Sequence, residues 1–162
     1  MAIEVREILG SDDLEGAARL RWRWVAENRA PGQDVDGFVA DVVQWWVRQP
    51  AIVGVVAVDD EVTPDTSGGR VVGMAFLVVV NRVPAPGEID RTSGDVQSVY
   101  VVPEQRGHGV GTRMLDLLVA RARERGCIRI TVHSSSRALP CYARLGFELH
   151  ERVLTLPLSQ TL

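Results

Sequence analysis

Three glycines alternate with other residues in the run Arg106, Gly107, His108, Gly109, Val110 and Gly111. An apolar stretch at residues 96–102 precedes this run, and Pro103 separates the two. The order predicts a strand, a tight turn and the start of a helix. The first turn of a helix has N–H groups without partners and carries the positive end of the helix dipole, so it suits a phosphate or pyrophosphate. We therefore expect a phosphate-carrying ligand at this turn.

Two well-known phosphate loops fit the run poorly. A P-loop needs a lysine after its last glycine, and the chain contains no lysine at all. A dinucleotide-binding loop needs a third glycine at the sixth position of its motif. That position is Thr112 when the motif starts at Gly107, and Met114 when it starts at Gly109.

A third pattern, Arg/Gln-x-x-Gly-x-Gly/Ala, is met by Arg106, Gly109 and Gly111. It resembles the acetyl-CoA pyrophosphate loop of the GNAT superfamily of N-acetyltransferases. The resemblance implies that backbone N–H groups hold the pyrophosphate of acetyl-CoA along Arg106, Gly107, His108, Gly109, Val110, Gly111 and Thr112. It also implies that the backbone of Val99, Tyr100 and Val101 pairs with pantetheine, with a free N–H near Val101 facing the thioester carbonyl.

Residues 134–147 resemble a later motif of the same superfamily, a short helix that carries a tyrosine and ends in Gly-Phe. Serines can cap such a helix, Pro140 is tolerated in its first turn, and Gly146 can adopt the left-handed conformation that ends it. The resemblance makes Tyr142 the general acid that protonates the coenzyme A thiolate. A phenol with a pKa of about 10 is close enough to a thiol at about 8.5 for this transfer.

The general base stays open among three candidates. Asp95 immediately precedes the predicted central strand, in phase with Gln97 and Val99, where some family members carry a glutamate. Its position beside Gly94 fits a strand-entry or turn residue equally well. His133, at the end of the following strand, is the reserve candidate, and water is the third. Ser135 occupies the region in which many family members bind pantetheine through an asparagine, so we expect a hydroxyl contact there.

The acceptor amine should bind where the first two predicted helices cover the cleft. All four tryptophans lie in these helices. The helical spacing places Trp24 and Trp46 in the core. We expect Trp22 and Trp45 to line an aromatic pocket for the amine, with Glu27 or Asp41 as its ionic partner.

Hydrophobic periodicity predicts the elements that position these residues. Strands are expected at residues 3–8, 51–58, 71–80, 96–102 and 127–133, with a terminal strand pair within 147–158. Helices are expected from residue 11 or 12 to about 28, from Asp34 to about 46, from Gly111 to about 122, and around Tyr142. Residues 59–69 and 83–91 are expected to be loops. The resemblance implies a GNAT fold of the α/β class, in which a mixed sheet of six to seven strands is flanked by about four helices.

Length and composition restrict the function further. The 162 residues carry a net charge of −3 and 46% hydrophobic residues, which predicts a single domain over residues 1–162 and no nucleic-acid partner. Cys127 and Cys141 lack metal-ligand spacing, so no metal site is expected. No apolar run has the length of about 20 residues that a membrane span needs, and no signal peptide is evident. We expect a cytoplasmic protein without a membrane partner.

The sequence therefore predicts an acetyl-CoA-dependent N-acetyltransferase that acts on a primary amine of a small molecule or peptide, by direct attack in a ternary complex. The resemblance adds a homodimer as an expectation. The alternative is a non-catalytic acyl-CoA-binding sensor or regulatory module of the same fold, which tryptophan side chains blocking the acceptor cleft would favour.

Overall fold

One five-stranded sheet organises the computed structural model, which describes residues 2–60 and 69–158. Its strands follow the chain in the spatial order β1 (Ile3–Glu7), β2 (Ile52–Asp59), β3 (Arg70–Arg82), β4 (Arg91–Val101) and β5 (Cys127–Val132). The first four strands are antiparallel, and β5 runs parallel to β4. A parallel neighbour needs a long crossover, and α3 (Val110–Glu124) supplies it.

Helices cover both faces of this sheet. α1 (Ser11–Ala26) and α2 (Val35–Trp46) pack against the face to which Phe76 of β3 points. Gly73 of the same strand faces Met114 of α3. These two β3 positions are an odd number of residues apart, so α3 lies on the opposite face from α1 and α2. The short α4 (Leu139–Arg144) adjoins α3.

The core lies on both faces of the sheet, between the central strands and the helices α1 and α3. Its largest fully buried side chains include Met74, Leu77, Met114, Leu115 and Leu118. Each such side chain contributes about 1.5–3 kcal/mol by leaving water. Because α3 is anchored by three of them, its first turn is held firmly at the end of β4.

Residues 147–158 correct the predicted strand count. They form no strand, so the described part of the chain has a sheet of five strands where six to seven were expected. The alternating pattern of this segment favours a strand, but a strand also needs a backbone partner and a surface to pack on. Phe147 packs on Tyr142, but the residues after it pair with no strand within residues 2–60 and 69–158, and Leu149, Leu154 and Leu158 are more than 80% exposed.

The other elements agree with the predicted order through α4. Asp34 caps α2 by accepting a hydrogen bond from the N–H of Gly37 at 2.9 Å, as expected. β4 begins at Arg91, several residues before the predicted start, so Asp95 lies inside the strand. The loop predicted at residues 59–69 falls mostly on positions outside the described residues. The single domain over 1–162 stays a prediction.

Candidate active site

Two glycines shape the turn between β4 and α3. Gly107 and Gly109 have φ angles of 80° and 75°. Residues with a Cβ atom rarely adopt this left-handed conformation, because their side chains approach the following carbonyl too closely. The positions of these glycines therefore set the path of the backbone into the first turn of α3.

The backbone N–H groups of residues 107–112 donate to no acceptor within the described part of the chain. The first amide that bonds is that of Arg113, which donates to the carbonyl of Gly109 at 3.1 Å. No side chain caps the helix at Gly109 either. Six consecutive unpaired donors at a helix N-terminus form an anion-binding surface.

β4 separates from β5 just before this turn. Pairing between the two strands ends at Val96 and Val132, whereas β4 stays paired with β3 as far as Val101. The N–H of Val102 donates to Val72 of β3 at 2.9 Å. Since neighbouring strand residues direct their N–H groups to opposite edges, the N–H of Val101 points to the open edge on the β5 side.

A bulge lies in β4 at the same level. Two residues, Ser98 and Val99, stand opposite Ala75 of β3, and Ser98 has a φ of 55°. Bulges increase the local twist and change the direction of side chains, and a positive φ outside glycine marks a constrained backbone. The bulge and the end of the β5 pairing together open a gap alongside Val99, Tyr100 and Val101.

The side chain of Arg106 has a role that the sequence did not reveal. Its Nε donates to the carbonyl of Val101 at 2.8 Å, and its guanidinium lies 5.4 Å from the ring centre of Tyr100. This residue was expected to contribute its backbone. Its side chain instead holds the end of β4 against the glycine turn and occupies the Val101 carbonyl.

Tyr142 lies in α4 and is 7% exposed. Its ring packs edge-on against Phe147, with ring centres 5.4 Å apart, and its hydroxyl has no hydrogen-bond partner among the described residues. Burial, with a smaller contribution from Cys141, raises the pKa of Tyr142 above its usual 10. The hydroxyl therefore stays protonated throughout the neutral range.

A contact between side chains ties α4 to the glycine turn. The Thr112 hydroxyl and the Cys141 thiol lie 3.5 Å apart, at hydrogen-bond distance for sulfur. Thr112 belongs to the first turn of α3, and Cys141 immediately precedes Tyr142. The structure therefore places the Tyr142 helix beside the unpaired amides.

Asp95 lies on the sheet face covered by α1 and α2. Its carboxylate accepts a hydrogen bond of 2.6 Å from the side-chain amide of Gln97, which shares its face of β4. His133 follows the end of β5 and is exposed, without a hydrogen-bond partner among the described residues. Asp95 is thus the candidate base that the fold directs toward the covered face.

Ser135 precedes a short 3-10 turn and is exposed. Its side chain does not cap that turn, and its carbonyl accepts a hydrogen bond from the Ser134 hydroxyl at 2.8 Å. Its hydroxyl keeps its hydrogen-bonding capacity for a ligand. His108 is likewise exposed in the glycine turn.

A cavity of about 170 Å³ lies between the sheet and the helices α1 and α2. Its wall is mostly apolar and includes the aromatic rings of Phe38, Trp45, Trp46 and Phe76. The polar side chains at its surface are those of Arg21, Gln97 and Ser98. Because Ser98 belongs to the bulge, the cavity reaches β4 at the level where the strand separates from β5.

The structure confirms part of the predicted aromatic pocket and corrects the rest. Trp45 lines the cavity, but so does Trp46, which was assigned to the core. Trp22 does not line it, because its indole N–H donates to the carbonyl of Gln33 at 2.8 Å and ties α1 to the loop before α2. Trp24 packs on Tyr100 with ring centres 6.0 Å apart, as a core residue should.

Neither acidic side chain expected to hold the amine lies in the cavity wall. Glu27 accepts a hydrogen bond from the Tyr100 hydroxyl at 2.6 Å and pairs with Arg23 at 3.4 Å. Asp41 accepts a hydrogen bond from the Gln33 side chain at 2.8 Å. Helical spacing alone did not identify Arg21, although it precedes Trp24 by one helical turn and follows the small residues Ala17 and Ala18.

Residues 2–60 and 69–158 lack two other kinds of functional feature. This part of the chain contains no group of three or more side chains able to hold a metal ion. None of its helices combines the length and apolar character needed to cross a membrane.

Comparisons with curated proteins give two named relatives. The glucosamine 6-phosphate N-acetyltransferase of Trypanosoma brucei brucei is 37% identical over 90 residues, which is 56% of this chain and 59% of that protein. Glucosamine 6-phosphate N-acetyltransferase 1 of Oryza sativa is 30% identical over 87 residues, covering 53% of this chain and 50% of that protein. The matched segments thus span little more than half of these relatives.

Solved structures match over nearly the whole chain. A Trypanosoma brucei acetyltransferase has 29% identity and a TM-score of 0.71, with 97% of this chain and 100% of that chain covered. A predicted acetyltransferase from Clostridium acetobutylicum, solved with acetyl-CoA, has 23% identity and a TM-score of 0.70, with 97% of each chain covered. At that identity, the second match shows a common fold.

The model of the acetyltransferase (GNAT) family matches residues 17–147, a span that holds the part of α1 from Ala17 onward, the cavity, the β4 bulge, the glycine turn and the Tyr142 helix. The likeness therefore extends over the whole of the site and not over its glycine motif alone. This chain belongs to the acetyltransferase (GNAT) family.

Proposed function

We propose that the chain is an N-acetyltransferase that uses acetyl-CoA and transfers its acetyl group to a primary amine by direct attack in a ternary complex. The observation that supports this most strongly is the row of six unpaired amides at residues 107–112, beside the gap between β4 and β5. A helix N-terminus of this kind suits a pyrophosphate, and an open strand edge suits an amide-containing chain such as pantetheine.

The residues present fit acetyl-CoA in three places. The amides of residues 107–112 are free to bind its pyrophosphate. The open edge of Val99 and Val101 can pair with pantetheine, although the Val101 carbonyl is already engaged by Arg106. The exposed Ser135 hydroxyl lies in the segment that follows β5 and can add a polar contact. Acetyl-CoA supplies an activated acetyl group, bound as a thioester.

The side chains and amides around this gap can supply the proton transfers and the hydrogen bond that the reaction needs. Asp95, through water, accepts the proton that the ammonium must lose before its nitrogen can attack. The nitrogen forms a bond to the carbonyl carbon, and the carbon–sulfur bond breaks. The Val101 N–H donates to the carbonyl oxygen while negative charge develops on it. The Tyr142 hydroxyl gives its proton to the departing thiolate, which leaves as coenzyme A. The nitrogen loses its second proton as the amide forms, and that proton, passed through water, restores the Tyr142 hydroxyl.

The named relatives support an amine as the acceptor, because both are called glucosamine 6-phosphate N-acetyltransferases. Their matches cover only 59% and 50% of their own lengths, so their names do not identify the acceptor of this chain. The homodimer and the cytoplasmic location stay predictions. Tryptophan side chains that blocked the acceptor cleft would favour the sensor alternative, whereas Trp45 and Trp46 form part of the wall of a cavity.

The test measures the release of free coenzyme A thiol from acetyl-CoA with a panel of primary amines. We expect turnover with at least one amine, and a kcat lower by about 10²-fold or more in Tyr142→Phe, the range in which general acids contribute. The substitution keeps the ring that packs on Phe147, so the fold should be preserved. Calorimetry with acetyl-CoA provides the control: equal affinity in both proteins shows that the donor site is intact.

Two results would contradict the proposal. Binding of acetyl-CoA without thiol release in the presence of any amine would favour the sensor. Absence of binding would show that the amides of residues 107–112 do not hold this ligand.

A further inference from the structure

The cavity under α1 and α2 has the chemistry of an apolar pocket with a single cation. Four aromatic rings, those of Phe38, Trp45, Trp46 and Phe76, line it from α2 and β3. Trp46 meets Phe76 edge-on with ring centres 6.0 Å apart, and Trp45 is tilted against Trp46 at 6.5 Å. Such walls favour a flat or bulky apolar group.

The size of the cavity matches one such group. Its volume is about 170 Å³. A cavity of about 150 Å³ lined by apolar side chains is large enough to hold a benzene molecule. Trp45 is 42% exposed, so it stands at the rim between the cavity and solvent. A single aromatic ring, or an aliphatic group of similar volume, therefore fills the space.

Among the described residues that line the cavity, Arg21 is the one cation. Its guanidinium stacks on the ring of Trp24, 4.8 Å from the ring centre, and is only partly exposed. Among the described residues it has no hydrogen bond and no ion pair. Burial, and to a smaller degree the charge of Arg29, lowers the pKa of Arg21 below its usual value.

A half-buried guanidinium without an anion is unfavourable, because it has lost part of its hydration and gained no counter-charge. The other arginines of α1 are satisfied within the protein. Arg19 pairs with Asp36 at 2.9 Å, and Arg23 pairs with Glu27 and Glu104. Among the described arginines of α1, Arg21 is therefore the one available to an anion that comes with the ligand.

A sugar phosphate fits this wall poorly. Glucosamine 6-phosphate, named for the two curated relatives, carries several hydroxyl groups and a doubly charged phosphate. The polar side chains of the cavity are Arg21, Gln97 and Ser98, and Gln97 already donates to Asp95. Buried hydroxyls would face aromatic rings without partners, which weakens binding.

We propose that the acceptor is a primary amine that carries one aromatic or large aliphatic group and one carboxylate, with the carboxylate bound by Arg21. This inference rests on the proposed function and deepens it by naming the substrate class. The fork of the guanidinium matches the two oxygens of a carboxylate. The apolar group fills the cavity, and the amine lies toward Gln97 and Asp95 on β4.

The test compares L-phenylalanine with phenethylamine, which share the ring and the amine but differ by the carboxylate. In the native protein we expect kcat/KM to be at least about 10-fold higher for L-phenylalanine, the size of a charge-assisted hydrogen bond. Arg21→Gln should reduce this ratio about 10-fold while phenethylamine turnover persists. The effect of the difference between the pKa values of the two amines cancels when this ratio is compared between the native protein and Arg21→Gln.

Arg19→Gln is the matched control, since it removes the same charge two residues away on the same helix, where the side chain is exposed and paired with Asp36. The ratio should be unchanged in that variant. An equal loss for both amines in Arg21→Gln would overturn the inference, as would a native preference for glucosamine 6-phosphate.

A second measurement separates this inference from the proposed function. Quenching of Trp45 and Trp46 fluorescence by L-phenylalanine reports occupation of the cavity without any turnover. One outcome is that L-phenylalanine quenches the fluorescence, Arg21→Gln abolishes this quenching, and the protein releases no thiol. That outcome would contradict the proposed enzymatic activity and support the proposed ligand class. If the protein turns over other amines but L-phenylalanine causes no quenching, the proposed enzymatic activity is supported and the proposed ligand class is refuted.

Discussion

The candidate site has two halves, one formed by backbone groups and the other by side chains. The half between β4 and α3 consists of backbone: six unpaired amides, two left-handed glycines and an open strand edge. The half under α1 and α2 consists of side chains, namely four aromatic rings and Arg21, brought together from α1, α2 and β3. A site made of backbone groups depends on the fold itself, whereas a side-chain site can differ without disturbing the fold.

The difference also bears on how each half responds to mutation. In the backbone half, substitutions act through φ angles and the directions of N–H groups. In the cavity half, they act through volume and charge. Substitutions in one half should therefore leave the ligand of the other half largely unaffected, and the following predictions test that separation.

Asp95→Asn should have the largest effect. It removes the carboxylate that Gln97 orients at 2.6 Å and keeps a side chain of the same shape. We expect kcat/KM for the amine to fall about 10²-fold, the lower end for a general base, without a change in acetyl-CoA affinity. Steady-state kinetics and calorimetry measure the two quantities. Unchanged kinetics, together with a loss in His133→Gln, would transfer the role to His133.

Gly109→Ala should weaken acetyl-CoA binding about 10-fold. The residue has a φ of 75°, and a Cβ there meets no atom within 4 Å, so the cost is conformational and about 1–2 kcal/mol. Calorimetry measures the change. Gly126→Ala is the matched control, because Gly126 has a φ of 72° and equally open surroundings at the other end of α3. Similar affinity losses in both variants would mean that general destabilisation is responsible.

Gly54→Ala should affect the cavity half alone. The added Cβ would lie 2.5 Å from Ile8 Cδ1, 2.8 Å from Trp46 Cη2 and 3.1 Å from Phe76 Cε1, so these side chains, two of which line the cavity, must shift. We expect the KM of the acceptor to rise several-fold and the stability to fall by about 1–3 kcal/mol. Acetyl-CoA affinity should be retained.

Gly73→Ala provides the comparison for that variant. Its Cβ would crowd Met114 Sδ at 3.1 Å on the opposite face of the sheet. Overpacking there should lower stability without raising the KM of the acceptor. If the two variants raised that KM equally, the cavity would not be the acceptor site.

The smallest expected effect concerns alkaline pH. Burial raises the pKa of Tyr142 in the folded chain above the value of about 10 in the unfolded chain. The folded state then holds its proton more tightly, so the stabilisation is complete below pH 10 and is lost as pH rises through the folded pKa. Urea unfolding above pH 10 should show a steeper fall in the native protein than in Tyr142→Phe. Equal slopes would show that Tyr142 is not shielded from water.

Local patterns predicted the backbone half well. The glycine spacing after Arg106 identified the turn, and Gly146 has the left-handed φ of 88° expected at the end of the Tyr142 helix. These features depend on the conformations allowed to single residues, so a short stretch of sequence is enough to reveal them. The role of the Arg106 side chain was missed, because its partner, the Val101 carbonyl, is exposed only where β4 loses its neighbour.

The cavity half was predicted less accurately. Helical periodicity separates the buried face of a helix from its exposed face, but it does not show which buried positions border a cavity. Trp46 and Trp22 were misassigned for that reason. The terminal strand pair failed similarly, since residues 147–158 have the alternation of a strand but no neighbour within the described chain.

The amino-acid order alone determined the glycine turn, the helix that follows it, the tyrosine motif and hence the family, because each depends on interactions between residues close in the chain. Only the tertiary structure decided that β4 and β5 separate after Val96, that Asp95 faces α1 and α2, and that Arg21 borders an aromatic cavity without a partner among the described residues. These features join residues far apart in sequence, and their positions follow from how the sheet and helices pack.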